Sequence, residues 1–172
     1  ERFYRVDKAR SRAAGGTAAL YRLRNVGAGN VSLTADNIYV SNGLRFENTG
    51  TFTLENGTDV TGGVNTSAAG QGTLVLNGTS SVSGNVGAAG TQLLEVQGGF
   101  AGGVSTLGNP VWADTVTVMG TGTVNFQGNF TGTTLDFAGD GIADVNGGKN
   151  ITANITTVDG TGTLSFRGAS VV

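Results

Sequence analysis

The sequence TVTVMGTGTVNFQG at residues 115–128 returns as ITTVDGTGTLSFRG at residues 155–168, after a shift of 40 residues. In both copies, two short runs with apolar residues at alternate positions flank a Gly-Thr-Gly corner. Alternation with a period of two is typical of strands that bury one side, and self-similarity at a fixed spacing marks a repeat architecture. The stretch therefore predicts a strand, a corner and a second strand, with inward side chains at Val116, Val118, Val124, Phe126, Val158, Leu164 and Phe166.

A second spacing, of 22 residues, relates GTFTL at 50–54 to GTLVL at 72–76, and VTGGV at 60–64 to VSGNV at 82–86. Offsets of 22 and of twice 20 agree on one coil, which holds two or three strands of about five residues. An antiparallel sandwich also uses short strands with turns every 8–12 residues, but it has no reason to keep identity at this offset. We therefore predict an all-β fold, a parallel β-helix (β-solenoid) with coils of about 20–22 residues and a length of roughly 35 Å.

The middle of the chain follows the repeat less closely. Leu93, Val96 and Phe100 are expected to fill a coil that drifts from the register, and residues 108–112 are expected to form an inserted loop with the single Pro and the single Trp. The core of the coil between the two copies of the 40-residue repeat is predicted at Leu135, Phe137, Ile142 and Val145.

The composition limits the possible chemistry. The chain has 31 Gly, no Cys, no His and 13% charged residues, so a disulfide framework, the usual nucleophile–base pairs and most transition-metal sites are excluded. Apolar β-formers recur between the glycines, which favours a folded domain over a disordered tract. Absence of cysteine suits a chain exported through an oxidising compartment, and no apolar run approaches the ~18 residues of a membrane helix. Without a signal peptide, the chain reads as a piece of something longer.

Residues 1–24 differ from the rest of the chain. They carry seven basic and two acidic residues, for a formal charge of +5, whereas residues 25–172 carry three basic and ten acidic residues, for −7. We divide the chain into a basic N-terminal segment, 1–24, and a β-solenoid, 25–172. The segment offers two β-like runs, 2–6 and 19–23, around a turn at 13–16, although 8–14 could also form a short helix. It is predicted to cover an open coil end or to contact another chain, because uncovered strand edges promote association.

The acidic residues Asp136, Asp140 and Asp144 are the only candidates for an acid/base group, since solenoid lyases can act with carboxylates and Arg or Lys alone. They lie in a Gly-rich region with no nearby cation in sequence except Lys149, which favours solvated turn residues. Residues 140–146 hint at a calcium loop but fit neither the EF-hand spacing nor the repeated calcium-binding pattern of β-helices. The prediction is no catalytic residue, no cofactor and no metal site. Nucleic acid is not expected as a partner, because the acidic body would repel phosphate.

Asparagines followed two positions later by Ser or Thr recur along the chain. Ladders of Asn or Thr on the coil faces are the interpretation favoured over glycosylation, since equal side chains repeat down a solenoid and can hydrogen-bond to one another. The positions are Asn30, Asn56, Asn65, Asn77, Asn129, Asn150 and Asn154.

At GQGTLVLNGTSSVSGNVG (70–87), GTGTVNFQGNFTG (120–132) and VDGTGTLSFRG (158–168), the chain resembles the repeats of autotransporter passenger domains. It is most similar to the rickettsial outer-membrane surface antigens of the OmpA/OmpB type, over approximately residues 45–172. The resemblance implies a right-handed parallel β-helix that is exported through the outer membrane and displayed on the cell. Residues 1–24 lie outside it, and the translocator barrel of such proteins is not in this sequence.

The expected function is that of a non-enzymatic bacterial surface or secreted protein, in adhesion to host or neighbouring cells or as a surface coat. Long repeated polar faces suit binding through many weak contacts. One alternative is a self-assembling surface-layer or filament subunit, joined through coil ends and residues 1–24. A second alternative is a tailspike- or lyase-like enzyme that acts on polysaccharide.

Overall fold

The computed structural model describes residues 4–6, 20–158, 160–169 and 172, which form short β-strands almost throughout. The predicted turn at 13–16 and the alternative helix over 8–14 lie outside the described residues. In chain order the strands are β1 (Tyr4–Val6), β2 (Leu23–Asn25), β3 (Asn30–Leu33), β4 (Asn37–Tyr39), β5 (Leu44–Phe46), β6 (Thr51–Leu54), β7 (Asp59–Thr61), β8 (Val64–Thr66), β9 (Gln71–Leu76), β10 (Ser80–Val82), β11 (Leu93–Gly98), β12 (Val104–Leu107), β13 (Val111–Val118), β14 (Thr123–Phe126), β15 (Phe130–Phe137), β16 (Ile142–Val145), β17 (Ile151–Thr157) and β18 (Thr163–Phe166). A 3₁₀ turn, Phe100–Gly102, lies between β11 and β12.

The strands form three faces of one solenoid. Face 1 is the sheet β3-β6-β9-β11-β13-β15-β17, and face 2 is the sheet β4-β7-β10-β12-β14-β16-β18. Face 3 begins with β2, β5 and β8, continues through a single bridging residue, Val86, and ends in the first residues of β13, β15 and β17. Strands of successive coils pair in parallel on every face, as residues 51–54 do with residues 73–76. The predicted parallel β-solenoid is confirmed, with about seven coils.

The core consists of inward columns, one residue per coil, in direct register. On face 1 the column is Val31, Phe52, Leu74, Val96, Val116, Leu135 and Ile155. On face 2 it is Ile38, Val60, Val82, Leu107, Phe126, Val145 and Phe166. On face 3 it is Leu23, Leu44, Val64, Val86, Val111, Phe130 and Ile151. Most of these side chains are fully buried, because each coil covers the apolar residues of the next.

The coils vary in length more than the predicted 20–22 residues. Paired residues are 19 apart between β13 and β15 and 25 apart between β10 and β12. The longer coil contains the 3₁₀ turn at Phe100, where Ala101 has a φ of 48°. Extra residues are therefore accommodated at corners, while the strands stay in register.

The 40-residue repeat is in register only in its second half. Phe126 lies in one column with Phe166, as predicted, but Val116 aligns with Ile155, a separation of 39 residues. The missing residue is added at the corner after β17, so Val158 falls outside the strand and is 55% exposed. The prediction that Val158 faces inward is therefore wrong.

Two further sequence predictions are corrected. Residues 108–112 are not an inserted loop, since β12 ends at Leu107 and β13 begins at Val111, which leaves a three-residue corner. Ile142 was expected in the core, but it points outward and is 38% exposed, because Ala143 and Val145 take the inward positions of β16. The other core positions predicted for that coil, Leu135 and Phe137, are buried.

The N-terminal strand breaks the parallel pattern. β1 pairs antiparallel with β2, with Arg5 opposite Arg24, and so covers the outer edge of face 3. β2 itself belongs to the solenoid, because Leu23 aligns in parallel with Leu44. The boundary drawn between residues 24 and 25 therefore falls within a strand.

Candidate functional site

The outer surface of face 2 carries a polar column through all seven coils. Its side chains alternate with the inward apolar column and are hydroxyls, carboxamides or carboxylates at every position: Asn37, Asp59, Ser81, Thr106, Asn125, Asp144 and Ser165. Neighbours in the column can hydrogen-bond across one ladder spacing of about 4.8 Å, and the hydroxyl of Ser81 donates to Asp59. The solenoid thus presents one kind of chemistry along its whole length.

Face 1 presents two further outward columns. One contains Asn30, Thr51, Thr73, Glu95, Thr115, Thr134 and Asn154, and the other contains Ser32, Thr53, Val75, Gln97, Thr117, Asp136 and Thr156. Contacts within this face include the Thr117 hydroxyl, which donates to Glu95 Oε1 at 2.9 Å. The predicted Asn and Thr ladders are present here, with acidic side chains interspersed.

Asparagines at the corners join successive coils instead. Asn56 Oδ1 accepts a hydrogen bond from the backbone N–H of Thr79 at 2.8 Å, and Asn129 Oδ1 accepts from the backbone N–H of Asn150 at 3.1 Å. Asn77 Nδ2 donates to the Glu55 carboxylate at 2.8 Å. These side chains fix the corner geometry by satisfying backbone and carboxylate groups of the neighbouring coil.

The candidate site is an open groove of about 400 Å³ on the outer surface of face 2, across strands β12, β14, β16 and β18. We call it the Asp144 groove. Its lining consists of two outward columns and a covering side chain: Val104, Thr123, Ile142 and Thr163 form the first column, Asn125, Asp144 and Ser165 the second, and Arg167 covers the end. A second open groove, of about 500 Å³, lies over β15 and β17 and is lined by small polar and aliphatic residues.

Asp144 forms the floor of this groove and is only 5% exposed, although it belongs to an outward column. One carboxylate oxygen, Oδ2, accepts a hydrogen bond from the Arg167 guanidinium. The other, Oδ1, is buried and has no hydrogen-bond partner among the described residues. A buried acceptor without a donor costs about 1–3 kcal/mol, so this oxygen is prepared for a donor that enters the groove.

Asn125 precedes Asp144 in the same column, one coil earlier. Its Oδ1 is likewise buried and without a partner in the described part of the chain. Two acceptor oxygens of adjacent coils thus meet on the floor of the groove. Sequence reasoning placed Asn125 as a side chain that simply faces water, and the structure shows a half-buried amide instead.

The remaining lining supplies both hydroxyls and aliphatic surface. Thr123, Thr163 and Ser165 contribute hydroxyl groups, whereas Val104 and Ile142 are 41% and 38% exposed. Val104 and Ile142 stand in one column with Thr123 between them. An apolar strip therefore runs beside the polar floor.

The three acidic residues singled out from the sequence do not form one site. Asp136 lies on face 1 and accepts from the Thr156 hydroxyl, whereas Asp140 lies in a corner and accepts from the Gly162 N–H at 3.2 Å. Asp144 alone enters the groove. Its cation is Arg167 rather than Lys149, and the guanidinium's pKa is raised by its hydrogen bond and charge contact with that carboxylate.

Within the described ranges, no three His, Cys, Asp or Glu side chains come together as a group able to hold a metal ion. Calcium commonly takes six to eight oxygen ligands. The described part of residues 140–146 supplies one carboxylate to face 2 and one to a corner.

Arg167 was not recognised from the sequence because it is 23 residues from Asp144 and outside any local motif. The signal that would have found it is the coil length, since residues about 21 apart are neighbours in space here. Ser165 aligns directly with Asp144, and Arg167 follows two positions later. Contacts in a solenoid are local in the coil register and remote in the sequence.

A second charged cluster lies on face 3, where Arg24 and Arg45 occupy adjacent positions in one column. Both donate to Glu47 Oε1, at 3.1 and 2.8 Å. Burial raises the pKa of Glu47, but the hydrogen bond from Arg24 and the charges of both arginines outweigh burial and lower it overall. This cluster holds β2 against β5 next to the N-terminal strand.

These features define a class: the chain is a parallel β-solenoid with three faces, polar outer columns and one open groove on face 2. No protein-family model, curated protein or solved structure matches it. No described residue belongs to a helix of the length and apolar character needed to cross a membrane.

Proposed function

We propose that this solenoid is a non-enzymatic, passenger-type protein of a bacterial cell surface, which acts in adhesion to cells or as part of a surface coat. The observation that carries the proposal is the outward polar column that continues through seven coils on face 2 and is matched by two columns on face 1. A surface that repeats at the ladder spacing can engage a repetitive partner at many points, and many weak contacts add to strong attachment.

The groove chemistry favours binding over hydrolysis. Hydrolysis of glycosidic bonds commonly needs two carboxylates on opposite sides of the bond. The lining of the Asp144 groove includes a single carboxylate, and Arg167 occupies one of its oxygens. The resemblance of residues 70–87 and 120–132 to passenger repeats supports the surface location.

The test uses purified protein coupled to beads and presented to bacterial and animal cells. In one variant Thr51, Thr73 and Thr134, which share an outward column of face 1, are replaced by lysine. The matched control places three lysines at the exposed corner residues Ser67, Gln127 and Thr131, so net charge changes equally. Adhesion lost only in the face variant supports the proposal, and beads that bind no cells contradict it.

A surface-layer or filament subunit is the second candidate function. The last described strands, β17 and β18, each pair with one neighbouring strand in the described structure, and Ile155 on β17 is 37% exposed although it continues an inward column. Edges of this kind promote chain-to-chain pairing. Sedimentation and electron microscopy of the purified chain distinguish the two functions, because a lattice subunit forms sheets or filaments without cells.

A further inference from the structure

The Asp144 groove has the chemistry of a site for polyhydroxylated chains. Two buried oxygens on its floor, Asp144 Oδ1 and Asn125 Oδ1, lack donors among the described residues. Both can only accept, so the group that completes them must donate. Hydroxyl groups are donors of this kind, and a ligand with several of them can reach both oxygens, which lie one coil apart.

The apolar strip beside the floor selects further. Val104 and Ile142 expose aliphatic surface in a column that also contains the hydroxyls of Thr123 and Thr163. Sugar rings have C–H faces as well as hydroxyl edges, and a mixed wall of this kind complements both. The groove runs across four strands, roughly 14 Å at the ladder spacing, and it is open. These dimensions fit a chain that passes over the surface rather than a single enclosed molecule.

The charge balance favours a neutral chain. Asp144 is paired with Arg167, so these two groups leave the groove without net charge. A metal ion is disfavoured, because the floor offers two unpaired oxygens and the guanidinium beside them is positive. An acidic chain would meet the Asp144 carboxylate directly on the floor.

We propose that the Asp144 groove binds a strand of neutral polysaccharide, with Asp144 Oδ1 and Asn125 Oδ1 accepting sugar hydroxyls and Val104 and Ile142 contacting ring carbons. This inference rests on the proposed function, since it names a ligand class for the same binding surface. It assigns the recognition to face 2, whereas cell attachment through face 1 is tested by the lysine variants.

The experiment is electrophoresis of the folded chain through native gels that contain dextran, galactomannan, hydroxyethylcellulose or glycogen. We expect retardation in at least one gel. Replacement of Asn125 or Asp144 by alanine should lower the apparent affinity about tenfold, as for one lost hydrogen bond. The matched controls are Thr134→Ala and Asp136→Ala, outward residues of face 1, which should migrate like the unaltered chain. Because Asp144→Ala also releases Arg167, the rim variant Ile142→Ser gives an independent result if that protein fails to fold.

Several outcomes overturn the inference. One is no retardation in any of the four gels, and another is an equal loss in the face 1 controls. Stronger retardation by polygalacturonate, dependent on Arg167, would assign the groove to acidic chains instead. Calcium chloride that binds the chain alone, and does so only with Asp144 present, would assign a cation site. Groove variants that lose polysaccharide binding but still attach to cells would confirm the groove while separating it from the proposed adhesion.

Discussion

The rings of Phe126 and Phe130 stack inside the solenoid, with centroids 5.7 Å apart and planes inclined by 22°. Phe126 ends β14 on face 2, and Phe130 begins β15 and belongs to face 3, so the pair spans the corner at residues 127–129 from inside. Phe46 and Phe52 form a similar pair, 4.8 Å apart, at another corner. Aromatic contacts of this kind add to the hydrophobic stabilisation of burial.

Removal of the Phe126 ring should therefore be costly. Phe126→Ala is expected to lower the free energy of unfolding by ~3–5 kcal/mol, because the side chain is fully buried and its loss leaves a cavity. Urea denaturation followed by circular dichroism measures the effect. Gln127→Ala, at the exposed corner position next to it, should change stability little. Similar losses in both variants would contradict the packing described here.

Gly72 and Gly90 separate two costs of a left-handed backbone. Both have a φ of +78°, but a Cβ at Gly72 would lie 2.2 Å from the Phe46 ring, whereas a Cβ at Gly90 would meet nothing within 4 Å. Gly90→Ala should cost about 1–2 kcal/mol from backbone strain alone, and Gly72→Ala should cost clearly more. Thermal unfolding of the two variants tests the difference, and equal melting temperatures would show that the Phe46 contact is relaxed.

Ser80 and Ser105 provide a matched pair of buried hydroxyls, since they align directly in adjacent coils of face 2. Ser105 Oγ accepts from the Gly99 N–H at 3.0 Å and donates to the Leu76 carbonyl at 3.2 Å, whereas Ser80 Oγ has no partner among the described residues. Ser105→Ala should destabilise by about 1–3 kcal/mol, and Ser80→Ala should be neutral or stabilising. Denaturation midpoints measure both, and the opposite order would refute this assignment.

Stability should fall in acid through Glu47 and Glu55. The pKa of Glu55 is lowered by hydrogen bonds from Ser32 and then Asn77, and that of Glu47 lies below 4.5 despite burial, because Arg24 and Arg45 outweigh it. A carboxylate whose pKa is lower in the folded state stabilises fully above its unfolded value, near 4.5, and loses this contribution as pH falls through the folded value. Urea midpoints measured from pH 6 down to about pH 3 should show this loss.

The control for this pH dependence uses the two carboxylates against each other. Glu47→Gln and Glu55→Gln should each remove part of the acid slope. The double variant Arg24→Met/Arg45→Met should remove the part due to Glu47 and leave the part due to Glu55, which has different partners. A slope unchanged in all three variants would mean that other groups control acid stability.

Much of the fold could be predicted because the alternation of apolar residues is itself the structural rule of a strand. Val116, Val118 and Phe126 were placed inward from their spacing and are fully buried. Val158 and Ile142 were misplaced because corners differ by a residue, and one extra residue turns a side chain to the other surface. Corner lengths depend on local contacts, such as that of Gly162 with the Phe137 ring, which composition does not reveal.

The groove was less predictable than the fold. Asp144 was identified as a candidate, but its relationship to Asn125 and Arg167 requires the coil register, which changes between 19 and 21 residues over these strands. Its burial on an outward surface results from side chains of neighbouring coils rather than from its own strand. A carboxylate in a Gly-rich region therefore reads as an exposed turn residue until the coils are aligned.

The parallel pairing between coils has a mechanical consequence. Because the hydrogen bonds of all three faces run along the axis of the stack, tension between its ends is borne by the coils in series, and the outermost coil peels first. A coil of 19 residues occupies about 4.8 Å of axis when folded but supplies roughly 65 Å of chain when pulled straight. The solenoid is thus a spool, which releases length under load and can rewind onto the coils that remain.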